Sequence, residues 1–402
     1  MHESMTDVKG YLSWGAHIGI RSKRRDLAII YSQTPAAAAA VFTRNVVKAE
    51  PVKLSRRHME NGRIQAIVVN SGNANACTGE RGRRDAQMMA DVTAEELGIP
   101  VEDVFVASTG LIGKPLPSKK VSEGIRTVAS KLSGRKIAGK LTSNAILTTD
   151  TFAKEGYTSF SLRGNRIRMG GIAKGSGMIH PDMGTMLAFI ICDMAISSEL
   201  LQRALEEVTR DTFNMISVDG DTSTNDTVCV LCNGAAGNRK VTREGEAYDT
   251  FRRHLRKLCA HLARLIVSDG EGATKLVEYR VQGAPSDTAA RRIARTISNS
   301  NLVRTAMFGR DPNWGRILAA AGRAGVGFDP ERLDLSIGTS KGTVLIMKRG
   351  QPTDYDRTHA KRKMRASRID VILDMHQGDG SATAWGSDFS YEYVRINAEY
   401  ST

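Results

Sequence analysis

The sequence predicts a mixed α/β chain in which layered sheets are flanked by helices. Two observations lead there. Apolar runs of strand length alternate with amphipathic helical stripes from one end to the other, separated by clusters of Gly, Pro, Asn and Ser. No internal repeat or low-complexity linker interrupts that alternation, so one interwoven unit is expected rather than separate beads. With 402 residues, 41% hydrophobic and 25% charged, the chain has ample material for a core.

Leu27 to Ser32 and Ala36 to Thr43 read as paired strands around the corner Gln33-Thr34-Pro35. Gln65 to Asn70 is a buried strand that runs into the small polar stretch Asn70 to Gly79. A helix follows from about Arg83 to Leu97, stopped by Gly98 and Pro100. Val104 to Ala107 is a short strand delivering Ser108-Thr109-Gly110 and Leu111-Ile112-Gly113. This glycine-bearing segment is either a plain turn or a place where backbone N–H groups face an anionic centre. Ser118 caps the next helix, to about Leu132. Tyr157 to Leu162 and Arg166 to Ile172 form a hairpin around Gly164-Asn165.

Further on, Ser197 caps a helix with Leu200, Leu201, Ala204, Leu205 and Val208 on one face. Phe213 to Val218 leads through the polar run Asp219 to Thr227 into the strand Val228 to Leu231. Phe251, Leu255, Leu258, Cys259, Leu262, Leu265 and Ile266 make the stripe of a long helix ending at Ser268 to Lys275. Ser286 or Asp287 caps the next, and the tail supplies another helix and short strands.

Composition narrows the function classes. The start lacks the basic and apolar regions of a signal peptide, and no apolar run approaches membrane-span length, so a cytoplasmic enzyme without membrane partners is expected. The five cysteines are odd in number and scattered, which argues against a disulfide framework. The net charge of +14 raises the question of nucleic acid, but the basic clusters are dispersed among acids and aromatics make up only 5%. A solvated basic surface, or an anionic small substrate, is the better reading, with no nucleic-acid partner.

No metal is expected. Cys229-Val230-Leu231-Cys232 has CxxC spacing but sits in an apolar strand with no second pair, and the eight histidines include no HxxxH or HxH. His180 is read as loop structure. The phosphate-loop and dinucleotide fingerprints are missing. The acidic loop Asp219 to Asp226 lacks the twelfth-position glutamate of a calcium loop and reads as a turn.

The stretch Lys174 to Phe189 stands out. A glycine-rich polar loop passes through a proline to Gly184-Thr185, and an apolar run begins at once. A threonine at a loop-to-strand junction is commonly structural. A backbone cut before it would instead place an α-amine and a hydroxyl in one residue, a nucleophile with its own base.

Whole motifs then carry a resemblance. Asn70 to Gly79, Ser108 to Gly113, Lys174 to Leu187, Asp219 to Asp226, Asp311-Pro312-Asn313-Trp314-Gly315-Arg316 and the ending Ile396 to Thr402 resemble, in order along the chain, the ornithine acetyltransferase family, also called glutamate N-acetyltransferases. The resemblance implies an N-terminal-nucleophile-like acetyltransferase architecture and an arginine-biosynthesis enzyme that moves acetyl from N-acetylornithine to glutamate. It implies self-cleavage between Gly184 and Thr185 into an α chain, 1–184, and a β chain, 185–402, assembled as an α2β2 heterotetramer. No bound cofactor is implied, though acetyl-CoA is a possible co-substrate.

By the same resemblance Thr185 is the nucleophile and Thr109 with Gly110 the oxyanion-hole pair. Thr151, Lys174, Thr185, Glu271, Asn397 and Thr402 contact substrate, and Glu271 assists proton movement or orients the amine. One departure is visible: Gly184 stands where the family more often has alanine, which relaxes the backbone at the cleavage point. An amidohydrolase using the same cleavage, with water as acceptor, is the competing reading.

Overall fold

A computed structural model of the chain describes residues 4–180 and 186–399. Gly184, Thr185 and Thr402 lie outside the described residues. In chain order the strands are β1 (Tyr11–Ala16), β2 (Leu27–Phe42), β3 (Arg63–Asn73), β4 (Val104–Leu111), β5 (Lys154–Leu162), β6 (Asn165–Lys174), β7 (Leu187–Cys192), β8 (Ile216–Ser217), β9 (Thr227–Cys232), β10 (Leu276–Ala284), β11 (Asp334–Thr339), β12 (Gly342–Lys348), β13 (Gln351–Pro352), β14 (Arg368–Asp374) and β15 (Gly380–Ser387). They form two sheets. The first runs β4-β3-β2-β9-β7-β6-β5 with β1 also on β2, and the second runs β13-β12-β11-β14-β10-β15-β8.

The helices are α1 (Glu50–His58), α2 (Gly79–Leu97), α3 (Ser118–Ala129), α4 (Lys136–Ala145), α5 (Ser198–Arg210), α6 (Glu246–Ser268), α7 (Asp287–Ser298), α8 (Asn301–Phe308), α9 (Trp314–Gly322), α10 (Arg357–Lys363) and α11 (Tyr391–Glu399). Strand alternation sorts the cores. Odd positions of β2 pack Leu27 and Ile29 under α1 to α3, and Ala39 and Val41 under α5 and α6. Even positions, Ala28, Ile30, Ala36, Ala38 and Ala40, face the opposite side with Ala145 at the end of α4. The stripes of α5 and α6 join the inner face of the first sheet to β10, β11, β14 and β15 of the second, giving one continuous core. The mixed α/β class with layered sheets is therefore observed.

Most local expectations hold for their stated reasons. Ser197 and Ser286 accept the N–H of Leu200 and Ala289 at the starts of α5 and α7. The hairpin expected around Gly164-Asn165 forms, with its turn one residue earlier: Arg163 and Gly164, at φ +47° and +84°, make the tight link and Asn165 already pairs with Leu162. Three expectations are corrected. Ser108 to Leu111, expected to lie beyond a strand ending at Ala107, continues β4 and pairs with β3. Gln33-Thr34-Pro35 is not a corner between paired strands. It lies within the single long strand β2, at an irregularity where pairing with β3 skips from Tyr31 to Ala36. Beyond it the strand has β9 alongside, and a proline without an N–H is tolerated where the ladder breaks. Ser118 is the first helical residue of α3 rather than its cap, because its hydroxyl donates to Asp85 Oδ1 at 2.6 Å.

Cys229 and Cys232 are buried in β9, and burial pushes both thiols up, so neither supplies a thiolate. Among the described residues no cluster of His, Cys, Asp and Glu could hold a metal ion, and no helix is long and apolar enough to cross a membrane.

Candidate active site

At one end of the first sheet, β6 finishes at Lys174, β7 starts at Leu187 and β9 starts at Thr227, and these residues are neighbours in register. A cavity of about 440 Å³ opens there. Its walls are Thr109 to Ile112 from the end of β4, Thr148 and Thr149, Gly177 and Met178 after β6, Met186 and Leu187, Ser223 to Asp226 before β9, Glu271 after α6, and Asn397 on α11. Met186 is the residue that follows Thr185 in the chain.

Backbone geometry shapes the β4 wall. Gly110 has φ +135°, and a Cβ there would meet Gly72 C at 2.3 Å and Asn73 N at 2.4 Å on β3. Only glycine fits this approach. Asn225 ties the walls together: buried, it donates from Nδ2 to Ala74 O at 2.7 Å and Ser108 O at 2.8 Å. Asp219 accepts the N–H of Ile179 at 2.7 Å and of Met178 at 2.5 Å, fixing the segment after β6 that carries Gly177 and Met178. Burial pushes the Asp219 carboxyl up despite those bonds.

The C-terminal wall is pinned at its root. Asp388 accepts the N–H of Thr274 at 2.8 Å and Lys275 at 3.0 Å, and Ser390 Oγ donates to Gly272 O at 2.6 Å. That brings α11 against Glu271, and Asn397 Nδ2 donates to Glu271 Oε2 at 3.0 Å. Gly177 lies opposite, where a Cβ would come within 2.5 Å of the Glu271 carboxyl carbon.

Lys174 is the cation of the cavity and is only 8% exposed. Its ammonium donates to Thr109 Oγ1 at 3.4 Å and stands 4.0 Å from Asp150 Oδ2. Burial pushes Lys174 down, and Lys154 adds to that, while Asp150, Asp226 and Glu271 oppose it. The result is one ammonium beside hydroxyls, the amides of Asn225 and Asn397 and the carboxylates of Asp226 and Glu271, next to an apolar strip of Leu111, Ile112, Met178, Met186 and Leu187. Such a set can seat an amino-acid carboxylate and amine while excluding bulk water from an acyl group.

The match to a family model described as the ArgJ family spans residues 13–402. The chain belongs to the ArgJ family. The arginine biosynthesis bifunctional protein ArgJ of Symbiobacterium thermophilum is 48% identical, with 99% of this chain and 98% of the relative covered. That of Thermotoga neapolitana is 47% identical over 98% of this chain and 99% of the relative. A solved structure of ornithine acetyltransferase with ornithine from Mycobacterium tuberculosis is 35% identical, covering 45% of this chain and 95% of that one at a TM-score of 0.40.

In this ArgJ-family chain Thr109, Gly110, Lys174, Glu271 and Asn397 meet at one cavity although they are far apart in sequence. Thr151 does not line it. Its N–H and hydroxyl are both directed at Asp269, and Thr148 and Thr149 form the wall instead. Sequence reasoning missed Thr149, Asn225 and Asp226 as lining residues. For the last two the signal was available: the run from Asp219 to Asp226, read as a turn, ends immediately before a buried strand. The His180 ring reaches beyond its own loop, to Ser217 on β8 and Arg295 on α7.

Proposed function

We propose that this ArgJ-family chain is an ornithine acetyltransferase of arginine biosynthesis, and that the cavity between Lys174, Thr109, Glu271 and Asn397 is where acetyl passes from N-acetylornithine to glutamate. The observation that carries the site assignment is the convergence of those four side chains on a cavity that Gly177 and Met178 enter from one side of position 185 in the chain and Met186 from the other. Hydrolysis of the Gly184–Thr185 bond leaves an α chain, 1–184, and a β chain, 185–402, with a free α-amine on Thr185.

An α-amine with a pKa near ~8 is partly unprotonated at neutral pH and takes the proton from its own Oγ. Oγ attacks the acetyl carbonyl, and the oxyanion forms against the Thr109 hydroxyl and the Gly110 N–H. Collapse breaks the amide C–N bond, the departing ornithine nitrogen takes the proton, and acetyl remains as a threonine ester. The amine of glutamate then attacks the ester, its proton returns to Thr185 Oγ, and N-acetylglutamate leaves.

Lys174 binds the α-carboxylate common to both amino acids, and Glu271, held by Asn397, orients the amine. Thr402 is a further substrate contact in this reading. Thr151 acts through Asp269, to which its N–H and hydroxyl donate. Acetyl-CoA is a second acetyl donor in this reading, in line with relatives named bifunctional, and the cleaved chains assemble as an α2β2 heterotetramer. The deciding experiment is acetyl transfer from N-acetylornithine, with glutamate or water as acceptor. Formation of N-acetylglutamate supports the reading, and release of acetate alone favours an amidohydrolase.

A further inference from the structure

Behind the Lys174 wall lies a set of charges that the proposed reaction does not use directly. Lys154, on β5, is fully buried. Its ammonium donates to Asp150 Oδ1 at 2.6 Å and to Asp269 Oδ2 at 2.5 Å, and both carboxylates are themselves buried. A buried ammonium with two carboxylates is costly to assemble, and replacing such a group by apolar residues is often neutral or stabilising. Stability alone therefore gives weak reason for this set.

Its geometry points toward the cavity. Asp150 accepts the Gly175 N–H at 2.7 Å on Oδ1 and the Thr148 N–H at 2.9 Å on Oδ2. Oδ2 also faces the Lys174 ammonium at 4.0 Å. Asp150 thus grips the residue after Lys174 by its backbone and Lys174 itself by its charge. Asp269 takes the N–H and hydroxyl of Thr151, closing the other end of the segment 148–151 that supplies Thr148 and Thr149 to the wall.

We propose that Asp150, held in place by the Thr148 and Gly175 N–H groups, is a positioning residue for Lys174, keeping its ammonium charged and aimed at the cavity. This rests on the reading of Lys174 as the cation that binds substrate carboxylate. The charged groups facing Lys174 are Asp150, Lys154, Asp226 and Glu271. Asp150 is the carboxylate in ion-pair range of it, and Lys154 is the cation that repels it. Burial raises the Asp150 carboxyl, but Lys174, Lys154 and the Gly175 N–H outweigh it and hold the group well below the ordinary carboxylate range.

Two substitutions therefore act in opposite directions. Asp150→Asn removes the attraction and leaves the Lys154 charge, so Lys174 loses its proton more easily. Lys154→Met removes the repulsion, and at alkaline pH, where both carboxylates stay ionised, Lys174 holds its proton more tightly. General damage to the fold moves both variants the same way.

The test is competitive labelling of the Lys174 amine with deuterated acetic anhydride across pH, read by mass spectrometry of the peptide containing it. The expected midpoint falls by about one pH unit or more in Asp150→Asn, since an opposite charge at this range shifts a group by roughly 1–3 units, and it rises in Lys154→Met. If Asp150→Asn does not accumulate in soluble form, the direction in Lys154→Met decides. Equal midpoints in wild type and variants, or a fall in Lys154→Met, overturn the proposal. The labelling needs no turnover, so its failure is distinct from failure of the acetyltransferase reading, which shows as absent transfer by the wild type. Where transfer occurs, KM for N-acetylornithine rises in Asp150→Asn more than kcat falls.

Discussion

Replacing Gly110 by alanine gives the sharpest check on how the fold builds the reactive wall. At φ +135° an L-residue is strained by about 1–3 kcal/mol. The added Cβ would stand 2.3 Å from Gly72 C, 2.4 Å from Asn73 N and 2.7 Å from Gly72 Cα, all backbone of the neighbouring strand. Relief requires β4 to withdraw from β3 by roughly 1 Å, since carbon contacts settle near 3.5–4 Å. Overpacking of this kind costs about another 1–3 kcal/mol. The same displacement moves Thr109 and Gly110, the proposed oxyanion donors, and misplacement of such donors by about 1 Å costs on the order of a hundredfold in rate. Gly113→Ala is the control. It lies three residues on, also at positive φ (+79°), with nothing within 4 Å of its Cβ position. It carries strain without collision. Thermal unfolding with steady-state acetyl transfer should show Gly110→Ala losing both stability and kcat, and Gly113→Ala losing a little stability only. A Gly110→Ala protein with wild-type melting and turnover, or equal damage from the two, would refute the reasoning.

Other substitutions probe the remaining walls. Asn225→Ala strands the Ala74 and Ser108 carbonyls and should cost about 2–4 kcal/mol in chemical denaturation, with a loss of activity beyond the stability change. Lys174→Met should raise KM for both amino-acid substrates by a factor of ten or more, on the order expected for losing a charged hydrogen bond, while a substrate esterified at its α-carboxylate is affected much less. Gly177→Ala should displace the Glu271 carboxylate from Asn397 and lower kcat with little change in melting, because the clash is with the end of a side chain. The pH dependence of stability should separate two buried groups. Asp150, held below its usual range, stabilises the fold in full above the unfolded value near ~4 and loses that contribution as pH falls through its folded value. The stability gap between wild type and Asp150→Asn should therefore narrow in acid. Lys174, pushed down by burial, gives a slope of the same sign in a more alkaline window: its charge costs stability below its folded pKa, and the cost fades as pH rises above it.

Much of this was legible because it is local. The α5 and α6 stripes, the Ser197 and Ser286 caps and the Arg163-Gly164 link depend on residues within a turn or two of each other. What failed depended on distant partners. Whether Gln33-Thr34-Pro35 bends into a corner or continues as strand is decided by β3 and β9 lying alongside β2. Ser118 looks like a cap until Asp85, on α2, claims its hydroxyl. The division of the fifteen strands found among the described residues between two sheets has no marker in hydrophobic period. At the site, whole motifs pointed to Thr109, Gly110, Lys174, Glu271 and Asn397, and the cavity gathers all five. Asp150 gave no such signal: its importance comes from Lys154, four residues on, and Lys174 and Asp269, much further away. Thr151 shows the reverse case, a residue whose sequence suggests substrate contact but whose polar groups serve Asp269.

The central claim is that the Gly184–Thr185 bond is first a processing site and then the catalytic centre. Mass spectrometry of the purified protein, before and after brief exposure to N-acetylornithine, tests it most directly. The account predicts two chains, one ending at Gly184 and one beginning at Thr185. The second should gain a single acetyl group on Thr185 that disappears when glutamate is added, and Thr185→Ala should stay uncut. An intact chain that transfers acetyl at the full rate would contradict it.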